Sequence, residues 1–89
     1  MNSYEFVFIT KSDEKSLLKN TEQLIAGFGG TITKQDSWGK QPFAYKMNGL
    51  TEGYYFVWQI SFDSRNVKDF KNKLNLDEGI LRYLVLKKS

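Results

Sequence analysis

Residues 54–62, YYFVWQISF, place Phe56, Trp58, Ile60 and Phe62 in one phase of an extended chain and Tyr55, Val57, Gln59 and Ser61 in the other. Successive side chains of a strand point to opposite faces, so these sets look in opposite directions. The first set is apolar throughout and belongs against a core, while the second grows polar along the strand. A sheet containing such a strand needs a covering layer on one side, and the flanking segments have to supply it.

Upstream, YEFVFIT (4–10) is a first strand with Tyr4, Phe6 and Phe8 on one face and Glu5, Val7 and Ile9 on the other. Ser12 or Asp13 can cap a helix in which Leu17, Leu18, Thr21, Leu24, Ile25 and Phe28 recur at helical spacing. Gly29 and Gly30 follow where a C-terminal cap calls for positive φ. TITKQDSWGKQPFAYKM (31–47) reads as a long, irregular strand, with Gly39 and Pro42 marking a bulge or an edge, because proline cannot donate to a central ladder. NGLTEG (48–53) is a turn cluster with a hairpin signal at Asn48-Gly49.

Downstream, Asp63 or Ser64 can cap a shorter helix carrying Val67, Phe70 and Leu74 on one stripe. After Asp77-Glu78-Gly79 comes a last strand, ILRYLVLKK (80–88), apolar in both phases: Leu81, Tyr83 and Val85 in one, Ile80, Leu84 and Leu86 in the other. The order strand, helix, strand, strand, helix, strand predicts one α+β domain over residues 1–89. It is the ferredoxin-like βαββαβ sandwich, a four-stranded antiparallel sheet with two helices on one face. The first and third strands are then central, and Pro42 falls on an edge.

The uncovered face would carry Val7, Ile9, Tyr55, Val57, Leu84 and Leu86. Contiguous apolar groups on a face without helices point to an interaction surface, since monomers keep such patches small. An RNA-recognition motif fits poorly. Its third-strand signature fails at Glu52, Tyr55 and Gln59, and solvent-facing Tyr54 and Phe56 would send Trp58, Ile60 and Phe62 into water. An acylphosphatase-like enzyme would need a glycine-rich phosphate cradle after the first strand, and ITKSDEKS (9–16) has none.

Composition narrows the function classes further. With no cysteine and no histidine in 89 residues, disulfides, thiolate metal sites and the commonest neutral-pH general base are excluded, so no metal, cofactor or catalysis is expected. A net charge of +3 favours anionic partners mildly. No run reaches the length of a membrane span and MNSYEFVF lacks signal-peptide order, so the expected location is cytoplasmic.

Four pieces of the chain then stand together: YEFVFI, WGKQPFAY (38–45), the Gly53-Tyr54 pair and LNLDEGILRYLVLK (74–87). In this order they strongly resemble the bacterial small-subunit ribosomal protein S6 family, from about Tyr4 to Lys87. Trp38, Gly39, Lys40, Ala44 and Tyr45 match its second-strand motif, whereas Gln41, Phe43, Lys46 and Met47 depart from it. The resemblance implies a ribosomal protein that binds 16S ribosomal RNA in the platform as a heterodimer with ribosomal protein S18. The apolar open face would meet that partner. Lys40, Lys46, Arg82, Lys87 and Lys88 are the expected phosphate contacts, with Tyr45 either stacking on RNA or packing at a rim. Trp38 is expected to pack beside the Gly39 bend. A stand-alone single-strand nucleic-acid binder and a protein-interaction module of the same fold are the alternatives.

Overall fold

The computed structural model describes residues 2–11, 15–47, 50–77 and 79–88, with the side chains of residues 43–47, 50 and 51 outside that description. The elements run β1 (Asn2–Thr10), α1 (Lys15–Gly27), β2 (Thr31–Met47), β3 (Leu50–Phe62), a 3-10 turn (Ser64–Asn66), α2 (Val67–Asn75) and β4 (Ile80–Lys87). The sheet order is β2-β3-β1-β4, and β1 with β3, β1 with β4 and β2 with β3 all pair antiparallel. This is the ferredoxin-like architecture, and Pro42 lies on the edge strand β2, where its missing N–H costs no ladder bond.

The core lies on one side of the sheet. Tyr4, Phe6, Phe8, Phe56, Trp58, Ile60 and Phe62 pack with Ile25 of α1 and with Phe70 and Leu74 of α2, so both helices cover the same face. Aromatic rings dominate that layer. The Phe8 ring meets Trp58 edge-on at 4.9 Å, and Phe70 meets Phe6 at 5.3 Å and Phe62 at 5.1 Å. The first two are edge-to-face, an arrangement that adds about 0.5–1.5 kcal/mol beyond the area buried, and the third is tilted at 45°. Thr21, the buried polar residue of the α1 stripe, donates from Oγ1 to the Leu17 carbonyl at 3.0 Å and leaves no orphan hydroxyl.

The turns depart from the sequence expectation in informative ways. Gly29 has φ +78° and ends α1 as predicted, whereas Gly30 is needed for space and not for positive φ. A Cβ there would stand 2.5 Å from Phe62 Cδ2 and 2.8 Å from Ile25 Cγ2. Asp63 caps the 3-10 turn by accepting from the Arg65 N–H at 2.9 Å. The Arg65 side chain also hydrogen-bonds this carboxylate and holds its pKa down at about 2. β3 begins at Leu50, so the Leu-Thr-Glu segment read as turn is already strand; the Asn48-Gly49 hairpin and the Ser12 or Asp13 cap lie outside the described residues.

A register shift next to Thr10 changes the reading of β4. Ile9 pairs with Arg82 but Thr10 pairs with Ile80, which leaves Leu81 as the extra residue. Ile80 therefore turns to the core side and is buried there, out of the phase of Leu84 and Leu86 in which alternation alone had placed it.

Candidate nucleic-acid and partner interface

The face opposite the helices is built row by row from the strand register. Val57, Val7 and Leu84 are cross-strand neighbours on β3, β1 and β4; Tyr55, Ile9 and Arg82 form the next row; Gln59, Glu5 and Leu86 form the row on the other side. The sheet thus brings Val7, Ile9, Tyr55, Val57, Leu84 and Leu86 onto one surface. They are not equally accessible. Ile9 and Val57, expected to meet water or a partner, are only 8% and 6% exposed, while Leu84 and Leu86 are 55% and 49% exposed. A residue on a central strand is walled by side chains on both flanking strands, and one on β4 has a neighbour on one side only. The accessible apolar surface is consequently displaced to the β4 edge, beside a recess of about 50 Å³ lined by Val7, Ile9, Arg82, Tyr83 and Leu84.

The same face ends in polar groups. Lys88 donates its backbone N–H to the Ser3 carbonyl at 2.8 Å, and its ammonium reaches across β1 to the Gln59 amide oxygen at 2.6 Å. That partner is neutral, so the positive charge of Lys88 stays uncompensated by this contact. Arg82, opposite Ile9, is exposed on the open side, whereas Lys87 lies opposite the core residue Tyr4 and belongs to the helix-side phase.

The stretch WGKQPFAYKM occupies a different place. β1 pairs with β3 only between Phe62 and Tyr54, and the β2–β3 pairing, which has Lys40 opposite Tyr54, continues past that point through Gln41↔Gly53 and Pro42↔Glu52 to Met47↔Leu50. From Gln41 onward these strands therefore form a two-stranded ribbon beyond the sheet body, consistent with the 36 Å long axis of the molecule against 24 and 22 Å for the others. The sequence signal for it is the 17-residue length of β2 against 9 residues for β1. At the base of this ribbon the Lys40 ammonium pairs with Glu52 at 2.8 Å, and that hydrogen bond, with the carboxylate charge, raises the lysine pKa. Lys40 stays charged but carries its own counterion. The Tyr45 and Lys46 side chains lie outside the described residues.

The expected phosphate contacts therefore do not form one cluster. Lys40 and Lys87 are separated by three strand spacings across the sheet and six residues along it, roughly 25 Å at ~4.8 Å per strand and ~3.3 Å per residue. A single phosphate cannot bridge them, and an extended polyanion can. Trp38 also departs from expectation: it is 62% exposed and not packed. It is the extra residue between the pairs Ser37↔Phe56 and Gly39↔Tyr55, on the outermost strand, so no further strand covers it.

This fold, with Phe56, Trp58 and Phe62 of its third strand committed to the core, has known relatives. The family model described as Ribosomal protein S6 matches residues 3–87. This chain belongs to the ribosomal protein S6 family. Among its S6 relatives, the small ribosomal subunit protein bS6 of Thermoanaerobacter pseudethanolicus is 34% identical, over 98% of this chain and 97% of that protein. The protein of the same name from Dictyoglomus turgidum is 33% identical, over 96% and 93% of the two chains. In fold, the chain is similar to the crystal structure of 30S ribosomal protein S6 from Thermotoga maritima, with a TM-score of 0.88, 24% identity, and coverage of 98% of this chain and 87% of that one. S6 proteins are structural constituents of the small ribosomal subunit and not enzymes. Among the described residues, no helix is long and apolar enough to cross a membrane.

Proposed function

We propose that this S6 protein binds 16S ribosomal RNA in the platform of the small subunit as a heterodimer with ribosomal protein S18. The observation that carries the reading is the pairing of exposed Leu84 and Leu86 with Arg82 on the β4 edge. An apolar strip bordered by cations suits a protein partner that itself lies against RNA. Lys40 at the base of the ribbon, Lys46 on it, and Arg82, Lys87 and Lys88 on and after β4, would contact phosphate from separated places, with Tyr45 stacking or packing on the ribbon. With a net charge of only +3 the protein shares phosphate neutralisation with its partner.

The test is a titration of the protein against a platform-region 16S RNA fragment, with and without S18, at several salt concentrations. Binding that requires S18 is the expected result, with charge removal at Lys40 and Lys88 lowering the salt slope by about 0.7–0.9 for each phosphate no longer neutralised. Equal affinity without S18 would make the chain an autonomous RNA binder. No binding in either mixture would overturn the reading.

A further inference from the structure

Trp38 is left over from the packing of the molecule. The core uses Trp58, and the most exposed apolar residues of the open face, Leu84 and Leu86, lie on the opposite sheet edge, on β4. A tryptophan 62% exposed on an outer strand is unusual for the largest side chain in the chain, because its burial would be worth more than that of any other residue. Its exposure follows from a bulge that sets it opposite no residue of β3. The bulge is held in place: Gly39 adopts φ +74°, which favours glycine, and Gln41 Nε2 donates to the Trp38 carbonyl at 2.9 Å. Bulges re-aim side chains, and this one presents an indole to solvent. Beside it, the two chain neighbours of Gly39 aside, nothing among the described residues lies within 4 Å of the point where a Gly39 Cβ would stand.

We propose that Trp38 is a stacking platform for an unpaired base of the bound RNA; this rests on the RNA-binding reading above. The surroundings select RNA over a protein partner. Aromatic anchors of protein interfaces sit within an apolar centre, whereas along the strand the chain around Trp38 reads Lys34, Gln35, Asp36, Ser37, then Gly39, Lys40, Gln41, with no apolar side chain, and across the strand Gly39 faces the half-buried Tyr55, an aromatic ring that ends in a hydroxyl. Flat bases stack on isolated aromatic rings without regard to sequence, while nearby cations track the phosphates. Lys34 and Lys40, with side chains 67% and 53% exposed, stand on either side of the indole along the strand. Both already hold carboxylates, Asp36 at 3.7 Å and Glu52 at 2.8 Å, which keeps the charge contribution modest and leaves the ring as the main source of affinity here.

The full chain, with S18 present, would be titrated with the platform RNA fragment as the unaltered protein, as Trp38→Ala and as Trp38→Phe. Expected are a loss of roughly tenfold in affinity for the alanine variant, an unchanged salt slope, an unchanged unfolding midpoint, and recovery of most of the affinity by phenylalanine. RNA should also quench tryptophan emission in the unaltered protein and not in Trp38→Phe, whose remaining Trp58 is buried. Equal affinity of the alanine variant and the unaltered protein would overturn the inference while leaving the RNA-binding reading intact. Weaker capture of S18 by Trp38→Ala in the absence of RNA would make the residue a protein contact and overturn it as well. No RNA binding by the unaltered protein would overturn both.

Discussion

On the helix side of the sheet, Phe6 and Phe8 are fully buried; one residue along the same strand, on the other side, Val7 is half-buried and its neighbour Leu84 is 55% exposed. Both faces draw on apolar residues of the same strands. The difference lies in what covers them. Ile25, Phe70 and Leu74 are brought down by helices on one face, whereas on the other only the neighbouring strands shield a side chain, so shielding fails at the edge. An apolar residue on the covered face therefore contributes to stability, and one at the uncovered edge is available for binding.

The largest effect expected on this contrast is from the covered side. Phe70→Ala removes a ring that packs on Phe6, Phe28 and Phe62 and should cost about 3–5 kcal/mol of unfolding free energy by denaturant titration, a large part of what a domain this size has. A loss below about 1 kcal/mol would mean that the helix layer is not what closes the core. Next, Gly30→Ala drives a methyl group into Phe62 and Ile25 and should destabilise by about 1–3 kcal/mol, whereas a substitution governed only by φ would be nearly neutral at this position.

The uncovered side should respond in the opposite sense. Leu84→Ser together with Leu86→Ser is expected to change unfolding free energy by less than about 1 kcal/mol, with S18 binding reduced at least roughly tenfold. A core-sized loss of stability would erase the distinction between the faces. The smallest effect is electrostatic. Asp63 titrates at about 2 in the folded protein, held there first by the Arg65 side-chain hydrogen bond, against about 3.9 for an unfolded aspartate. Its contribution is therefore present above about pH 4 and is lost as pH falls through about 2. The stability gap between the unaltered protein and Asp63→Asn should narrow over that window, and a gap constant down to about pH 2 would show that the carboxylate charge contributes nothing.

The sequence by itself determined the order of elements, the antiparallel ferredoxin-like sheet with β2 and β4 at its edges, and the core phase of β1 and β3. Alternation at period two and helical spacing are local properties, and a run such as Phe56, Trp58, Ile60, Phe62 can satisfy its burial in few ways. The family was legible for the same reason, in short motifs standing in register. Accessibility was not. That Ile9 and Val57 are shielded while Leu84 and Leu86 are not depends on which strands flank them, and that Ile80 reaches the core depends on one extra residue in the pairing with β1. The ribbon beyond the sheet, the Glu52 counterion of Lys40 and the exposure of Trp38 likewise arise from where neighbouring strands end and bulge. Those are relations between segments distant in the chain, and only tertiary pairing decides them.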